Sequence, residues 1–172
     1  MSTLKKILTN RDPSCKSVWF MRQAGRYLPE FRKIRSQNPQ FIELCLNSEL
    51  SSEITLQPIK RFDLDSAIIF SDILIVPYAL GQSVEFIKGE GPILSNFNLK
   101  IFLDNNKISF TEKLHPVYKA IEITRKKLDK NKSLISFIGA PWTLLIYMLG
   151  AKKNKDEIEY DIIKSQETEV NI

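Results

Sequence analysis

The stretch Met21-Arg22-Gln23-Ala24-Gly25-Arg26-Tyr27-Leu28-Pro29-Glu30 concentrates the chain's chemistry. Arg22 and Arg26 stand four residues apart around a small-residue turn, directly after the apolar run Val18-Trp19-Phe20-Met21. A guanidinium is planar, stays charged at working pH and presents fixed N–H donors. It therefore suits carboxylates, which it grips through two parallel hydrogen bonds. Gly25 has no Cβ, so backbone there can come close to a ligand. A buried strand, a glycine turn and two cations, in that order, read as an anion-binding loop. The alternative is a pair of solvated charges or halves of structural ion pairs, since most charged side chains lie in water.

Asp72 comes next, just after the apolar run Ile68-Ile69-Phe70. A carboxylate at the end of an apolar strand is costly to bury alone. It caps the following turn, pairs with an arginine such as Arg22, or accepts several donors from a ligand at once. Gln23 and the backbone N–H groups of Ala24 and Gly25 are further candidates to line a carboxylate site. Tyr147 also reads as a core aromatic with its hydroxyl at the surface. His115 is the chain's single histidine; it precedes Pro116 in an expected loop, has no partner motif and reads as a surface residue. Trp142 and Phe70 read as packing residues.

The elements that must hold these groups alternate between strands and helices. Leu4 to Leu8 starts a short helix. Val18 to Met21 is the first buried strand, and Glu30 to Ser36 and Pro39 to Leu46 carry helical spacing. Ser48 to Lys60 reads as a helix with Ser48 as N-cap and with Pro58 set to bend or end it. Ser66 to Phe70 is a continuous apolar run, as in a parallel strand covered on both faces. Gly81 to Ile108 is irregular, with a hairpin of Ile101-Phe102-Leu103 and Ile108-Ser109-Phe110 around Asp104-Asn105-Asn106. A helix from about Val117 to Asp129 leads to a third strand, Leu134 to Ile138. Pro141 then opens a helix to Leu149, since proline is tolerated in a first turn. Lys152 to Ile172 is a polar, charged tail with weak helical potential around Glu157 to Ile163. Strands followed by helices at this spacing give an α/β fold with a parallel sheet.

Composition excludes several classes. No run of about 18 uncharged apolar residues exists, so no membrane span is expected. Met1 to Asn10 contains no long apolar segment of the secretory kind. Cys15 and Cys45 match no metal or redox spacing and read as reduced thiols in a cytoplasmic protein. The net charge of +5 comes from lysines scattered along the chain. By contrast, Arg22, Arg26, Arg32 and Arg35 place four of seven arginines within fourteen residues. That focus suits a small polyanion better than a nucleic-acid backbone.

Met21 to Glu30, with its surroundings from Val18 to Arg32, closely resembles the N-terminal signature of the uroporphyrinogen decarboxylase family. Two further blocks match that family in order: Ala67-Ile68-Ile69-Phe70-Ser71-Asp72-Ile73-Leu74, and Gly139-Ala140-Pro141-Trp142-Thr143-Leu144 followed by Tyr147. Leu56-Gln57-Pro58 and Gly89-Glu90-Gly91-Pro92 also look like the family. The resemblance runs from about residue 4 to about residue 150 and is far more specific than a short glycine pattern.

The resemblance implies a (β/α)₈ TIM barrel, of which this chain would hold the N-terminal half, with about three of eight parallel strands. Such barrels typically need about 250 residues or more. Residues 1–150 are then the N-terminal part of the barrel and 151–172 a divergent tail. Functional groups in such barrels gather at the C-terminal ends of the strands, where all three blocks fall. The implied reaction removes CO₂ from the four acetate side chains of uroporphyrinogen III to give coproporphyrinogen III in haem biosynthesis. It needs no cofactor and no metal, because the pyrrole is its own electron sink. Arg22 and Arg26, with Gln23, Ala24 and Gly25, would hold substrate carboxylates. Tyr147 would donate to another. Asp72 would accept the pyrrole N–H groups and stabilise the cationic intermediate. Arg22 is assigned to binding first and then to proton delivery, for which a guanidinium is a poor acid. The family's serine and histidine from its C-terminal half have no counterpart here, and its homodimer contacts are expected to be lost. The alternatives are an inactive fragment or tetrapyrrole-carboxylate binding module, and a zinc-dependent enzyme acting on methyl groups. The last needs clustered Cys and His ligands that the sequence lacks.

Overall fold

The computed structural model describes residues 1–11, 14–87, 89–104 and 107–150. The polar tail and its expected helical stretch lie outside these residues. The described chain falls into two compact units. One comprises Met1–Asp72 with Leu114–Ile138; the other comprises Ile73–Lys113 with the segment from Gly139 on.

The first unit begins with α1 (Thr3–Asn10), α2 (Pro29–Gln37), α3 (Phe41–Leu46) and α4 (Ser48–Phe62). Pro29 opens α2, where its missing N–H costs nothing. The cap of α4 is Asn47 and not Ser48: the Asn47 side chain accepts the Leu50 N–H at 3.1 Å. Glu49 in the first turn and Lys60 and Arg61 in the last complement the helix dipole. Pro58 does not end α4, which runs on to Phe62 and closes through Asp63 in a left-handed conformation. Burial explains this: Ile54 to Ile59 are all buried, so packing outweighs one lost backbone bond. Leu28, Phe31, Ile34, Leu44 and Ile54 form one apolar cluster; Leu56, Ile59, Leu64, Ala67 and Leu128 form another.

Strands β1 (Ser66–Ile68) and β4 (Ser133–Ile135) pair in parallel, with Ser66 opposite Ser133 and Ile68 opposite Ile135. The pairing continues through the Ile69 N–H to the Ile135 carbonyl at 2.9 Å. The crossover between them includes α7 (Lys107–Lys127), which runs straight through Pro116. His115 therefore sits on a helix and not in a loop, though it is exposed as expected.

The expected first strand does not form. Val18 to Met21 makes no ladder pairing, Met21 already belongs to a turn, and Phe20 and Met21 are 61% and 73% exposed. One backbone bond and one side-chain bond to Asp65 stand where a ladder was expected. The Asp65 N–H donates to the Val18 carbonyl at 3.0 Å, and the Val18 N–H donates to the Asp65 carboxylate at 2.7 Å. These long-range bonds occupy both backbone groups of Val18 that a ladder would use. Two parallel strands are thus paired among the described residues, and no closed barrel is formed by them.

The second unit holds α5 (Ile75–Ala79), β2 (Val84–Ile87), β3 (Gly91–Leu94), α6 (Leu99–Asp104) and α8 (Pro141–Met148). The hairpin is β2–β3, antiparallel, and not the segment 101–110. Gly89 and Gly91 take positive φ at its turn, which glycine permits without strain. Residues 99–104 are helical because Asn98 caps them: its side chain accepts the Ile101 N–H at 3.1 Å. Asn105 and Asn106 lie outside the described residues.

Candidate functional site

The arginine loop is a turn between the Val18 segment and α2. The Leu28 N–H donates to the Gly25 carbonyl at 3.0 Å. Tyr27 folds back so that its hydroxyl donates to the Gln23 carbonyl, and its ring stacks on Phe62 with centroids 6.4 Å apart. Burial, and next the nearby Glu30, hold the Tyr27 phenol above its ordinary pKa. A Cβ on Gly25 would lie 3.6 Å from the Tyr27 ring, an ordinary contact, so the fold itself does not demand glycine there.

Within the arginine cluster, two members serve the structure. Arg32 donates to the Arg26 carbonyl at 2.8 Å. Arg35 donates to the Asn38 carbonyl and lies over the Phe41 ring at 5.6 Å. Arg22 and Arg26 differ: both are exposed, and among the described residues neither guanidinium has an ion-pair partner. Two uncommitted guanidinium groups on one short loop can take up carboxylates. Arg22 also lines an open hollow of about 610 Å³, otherwise walled by Phe20, Met21, Tyr27, Phe62 and Leu64. An apolar floor with a cation at its rim suits a flat, carboxylate-bearing ligand.

Gln23 faces inward. It is 2% exposed, and its carboxamide donates to the Ser66 carbonyl at 2.8 Å and accepts the Ile68 N–H at 3.4 Å. Its polar atoms are committed to β1 and not offered to the surface.

Asp72 is half-buried two residues beyond Phe70, at the end of the segment that continues β1. Phe70 is held tightly. Its N–H donates to Thr55 Oγ1 at 2.8 Å, its carbonyl accepts from Ser51 Oγ at 2.5 Å, and its ring meets Phe31 and Phe41 edge-on. Phe70 is thus the packing residue its position suggested. Trp142, in contrast, is 57% exposed. Asp72 lies near the buried Cys45, whose thiol is pushed far up, first by burial and then by the Asp72 charge. The hollow lined by Arg22 does not include Asp72. Tyr147 belongs to the second unit, half-buried on α8. Ser51, Thr55, Gln23 and Asp65 are the positioning residues whose part the sequence concealed. A Ser-x-x-x-Thr pair on one helix face was the available signal for the first two.

Among the described residues, no three His, Cys, Asp or Glu side chains group as metal ligands. No helix among them is long and apolar enough to cross a membrane.

Comparison with known proteins adds the decisive observation. The family model described as uroporphyrinogen decarboxylase matches residues 1–168. The chain belongs to the uroporphyrinogen decarboxylase family. It is 53% identical over 133 residues to the uroporphyrinogen decarboxylase of Neorickettsia sennetsu, covering 77% of this chain and 40% of that protein. It is 48% identical to that of Orientia tsutsugamushi over 150 residues, 87% of this chain and 44% of the relative. To that of Roseobacter denitrificans it is 39% identical over 170 residues, 98% and 49% respectively. The chain therefore spans less than half the length of these relatives. Among solved structures, a methyltransferase from Methanosarcina mazei shares the fold with a TM-score of 0.64, over 87% of this chain and 45% of that one. Their 15% identity carries the likeness no further than fold.

Proposed function

We propose that residues 1–150 are the N-terminal part of a uroporphyrinogen decarboxylase barrel, and that this part grips the carboxylates of uroporphyrinogen. The observation that carries the reading is the pair Arg22 and Arg26, whose guanidinium groups have no ion-pair partner among the described residues, on a loop bonded to β1 within a family match over residues 1–168. In the complete reaction, protonation of a pyrrole carbon creates a cationic iminium. CO₂ then leaves from the adjacent acetate into that cation, a second protonation gives the methyl group, and loss of the proton first added to the ring carbon restores the pyrrole. Arg22 and Arg26 would hold side-chain carboxylates; the backbone of Ala24 and Gly25 would add donors. Asp72 would take the pyrrole N–H groups and place negative charge beside the cation. Tyr147 would donate to a further carboxylate. On this reading the product is coproporphyrinogen III, and the chain acts in the cytoplasm without cofactor, nucleic acid or membrane. The family's homodimer belongs to the complete barrel, and its contacts are expected to be lost here.

A second reading, binding without turnover, is favoured by one observation: the hollow beside Arg22 leaves Asp72 outside. Two measurements test and separate the readings. Fluorescence titration with uroporphyrin, a stable octacarboxylate analogue, should show binding that Arg22→Ala and Arg26→Ala each weaken about tenfold. Unchanged affinity in both variants would defeat the carboxylate assignment. CO₂ release from uroporphyrinogen by the purified chain would favour the enzyme; saturable binding with no product would favour the binding module.

A further inference from the structure

We propose that Gln23 is a positioning residue whose side-chain carboxamide stands in for one peptide group of a strand beside β1, and so fixes the arginine loop in register. The inference rests on the carboxylate-gripping role of that loop and adds how the loop is aimed. In a parallel ladder, a residue donates to the carbonyl one position before its partner and accepts from the N–H one position after it. Gln23 makes the same pair of bonds with its side chain: it donates to Ser66 and accepts from Ile68, flanking Ala67. The opposite edge of β1 is occupied by β4, since the Ile69 N–H goes to Ile135. The Ser66 carbonyl and the Ile68 N–H therefore point to the other edge, where the Val18–Met21 segment makes no ladder.

The amide orientation is fixed by its partners, because a carbonyl requires a donor and an N–H an acceptor. Shape matters too. Only a primary amide of this length offers both groups with peptide spacing; Asn falls one methylene short. Gln23 sits immediately between Arg22 and the Ala24–Gly25–Arg26 turn, so a shift here moves both guanidinium groups. Tyr27 closes the turn onto the Gln23 carbonyl, and Asp65 ties the preceding Val18 to the same strand. With Arg32, which donates to the Arg26 carbonyl, these two are the titratable groups bonded to the segment among the described residues, and all three are unaltered in the variants below.

The test uses amide hydrogen exchange by NMR at pH 8 and pH 5.5, corrected to protection factors. Gln23→Glu is the diagnostic variant. A buried, protonated carboxyl can donate to Ser66 and accept from Ile68; a carboxylate cannot donate, and burial favours the protonated form. Protection of the Ile68 and Leu28 amides should fall about tenfold at pH 8 and return at pH 5.5. Gln23→Met, of similar volume, should lose protection at both pH values. Wild-type protection should hold at both, which removes any contribution from Asp65 and Tyr27. In parallel, Gln23→Met should weaken uroporphyrin binding about tenfold with both arginines intact. Ile68 protection unchanged in Gln23→Met, no recovery of Gln23→Glu on acidification, or global unfolding of Gln23→Met would each overturn the assignment. Failure of the wild-type chain to bind uroporphyrin would count against the proposed function instead, and the exchange result would still decide the role of Gln23.

Discussion

Thr55 on α4 accepts the Phe70 N–H at 2.8 Å while donating to the Ser51 carbonyl one turn back at 2.7 Å. With Ser51 Oγ on the Phe70 carbonyl, helix α4 holds both backbone groups of the residue that leads into Asp72. Helix and strand end are thereby joined by hydroxyls, beyond the apolar contacts that hold the layers together.

Replacing Thr55 with Val keeps the shape and removes the hydroxyl. Thr55 is only 1% exposed, so the Phe70 N–H would be left unsatisfied away from water. The expected loss is about 1–3 kcal/mol, read from urea unfolding. Thr55→Ser should recover most of it. A Val variant with the parental midpoint would show that these bonds are energetically idle.

Acid should weaken the fold over a defined window. Hydrogen bonds from Lys126 and then Lys119 hold Glu122 down to about 2. Hydrogen bonding from Arg61 depresses Glu30, and hydrogen bonding from Lys132 depresses Asp63. A carboxylate whose folded pKa lies below its unfolded one stabilises fully above the unfolded value. That contribution disappears as pH falls through the folded value. Stability should therefore be level from neutrality to about pH 5 and then decline toward pH 2. These side chains meet solvent, so 1 M NaCl should flatten the decline by screening. Thermal melts across pH at two salt concentrations would check this, and a decline that salt does not touch would point to buried groups instead.

How far the sequence spoke depends on what each segment's neighbours do. Helices α2 and α4 were legible from their own spacing, and α8 from the Pro141 that opens it. Strands β1 and β4 were legible as apolar runs, but they end at Ile68 and Ile135, short of the expected Phe70 and Ile138. Val18 to Met21 is equally apolar, yet it forms no strand, because its ladder partners are replaced by Asp65 and Gln23 side chains acting across more than forty residues. Periodicity reports which side chains are apolar, not which backbone groups find partners. The same blindness hid Ser51 and Thr55, and it turned the Asn98-capped α6 into an expected strand. The arginine loop was legible for the opposite reason: its chemistry is local. Which of its arginines are uncommitted was not, since Arg32 and Arg35 differ from Arg22 and Arg26 only through contacts.

Cys45 should be nearly inert in the folded chain. It is buried, and burial first, then the Asp72 carboxylate, keep its thiol protonated. Iodoacetamide at pH 8, followed by mass spectrometry, should label the half-buried Cys15 first and Cys45 only as fast as the chain opens. The sign at high pH follows from the same shift. Folding favours the protonated thiol, so its contribution is complete below the unfolded value of 9.0 and is lost as pH rises past it. Equal labelling rates at the two cysteines would mean that α3 is open in solution and that Asp72 is not held beside it.

Gly139 is required by crowding and not by backbone angle. A Cβ there would sit 2.7 Å from Leu144 Cδ2, 3.0 Å from Leu144 Cγ and 3.2 Å from Ile73 Cβ. Leu144 is buried on α8, three residues after the Pro141 that starts the helix, so it has little room to retreat. Gly139→Ala should cost about 1–3 kcal/mol, the usual penalty for overpacking. Leu144 carries the branched end that blocks the new methyl. Pairing Gly139→Ala with Leu144→Ala should therefore cost less than the sum of the two single changes, because Leu144→Ala vacates the space that the new methyl fills. Strict additivity in denaturant unfolding would mean that the methyl meets something other than Leu144, and that the close approach of this glycine to α8 does not govern the packing of Tyr147's helix.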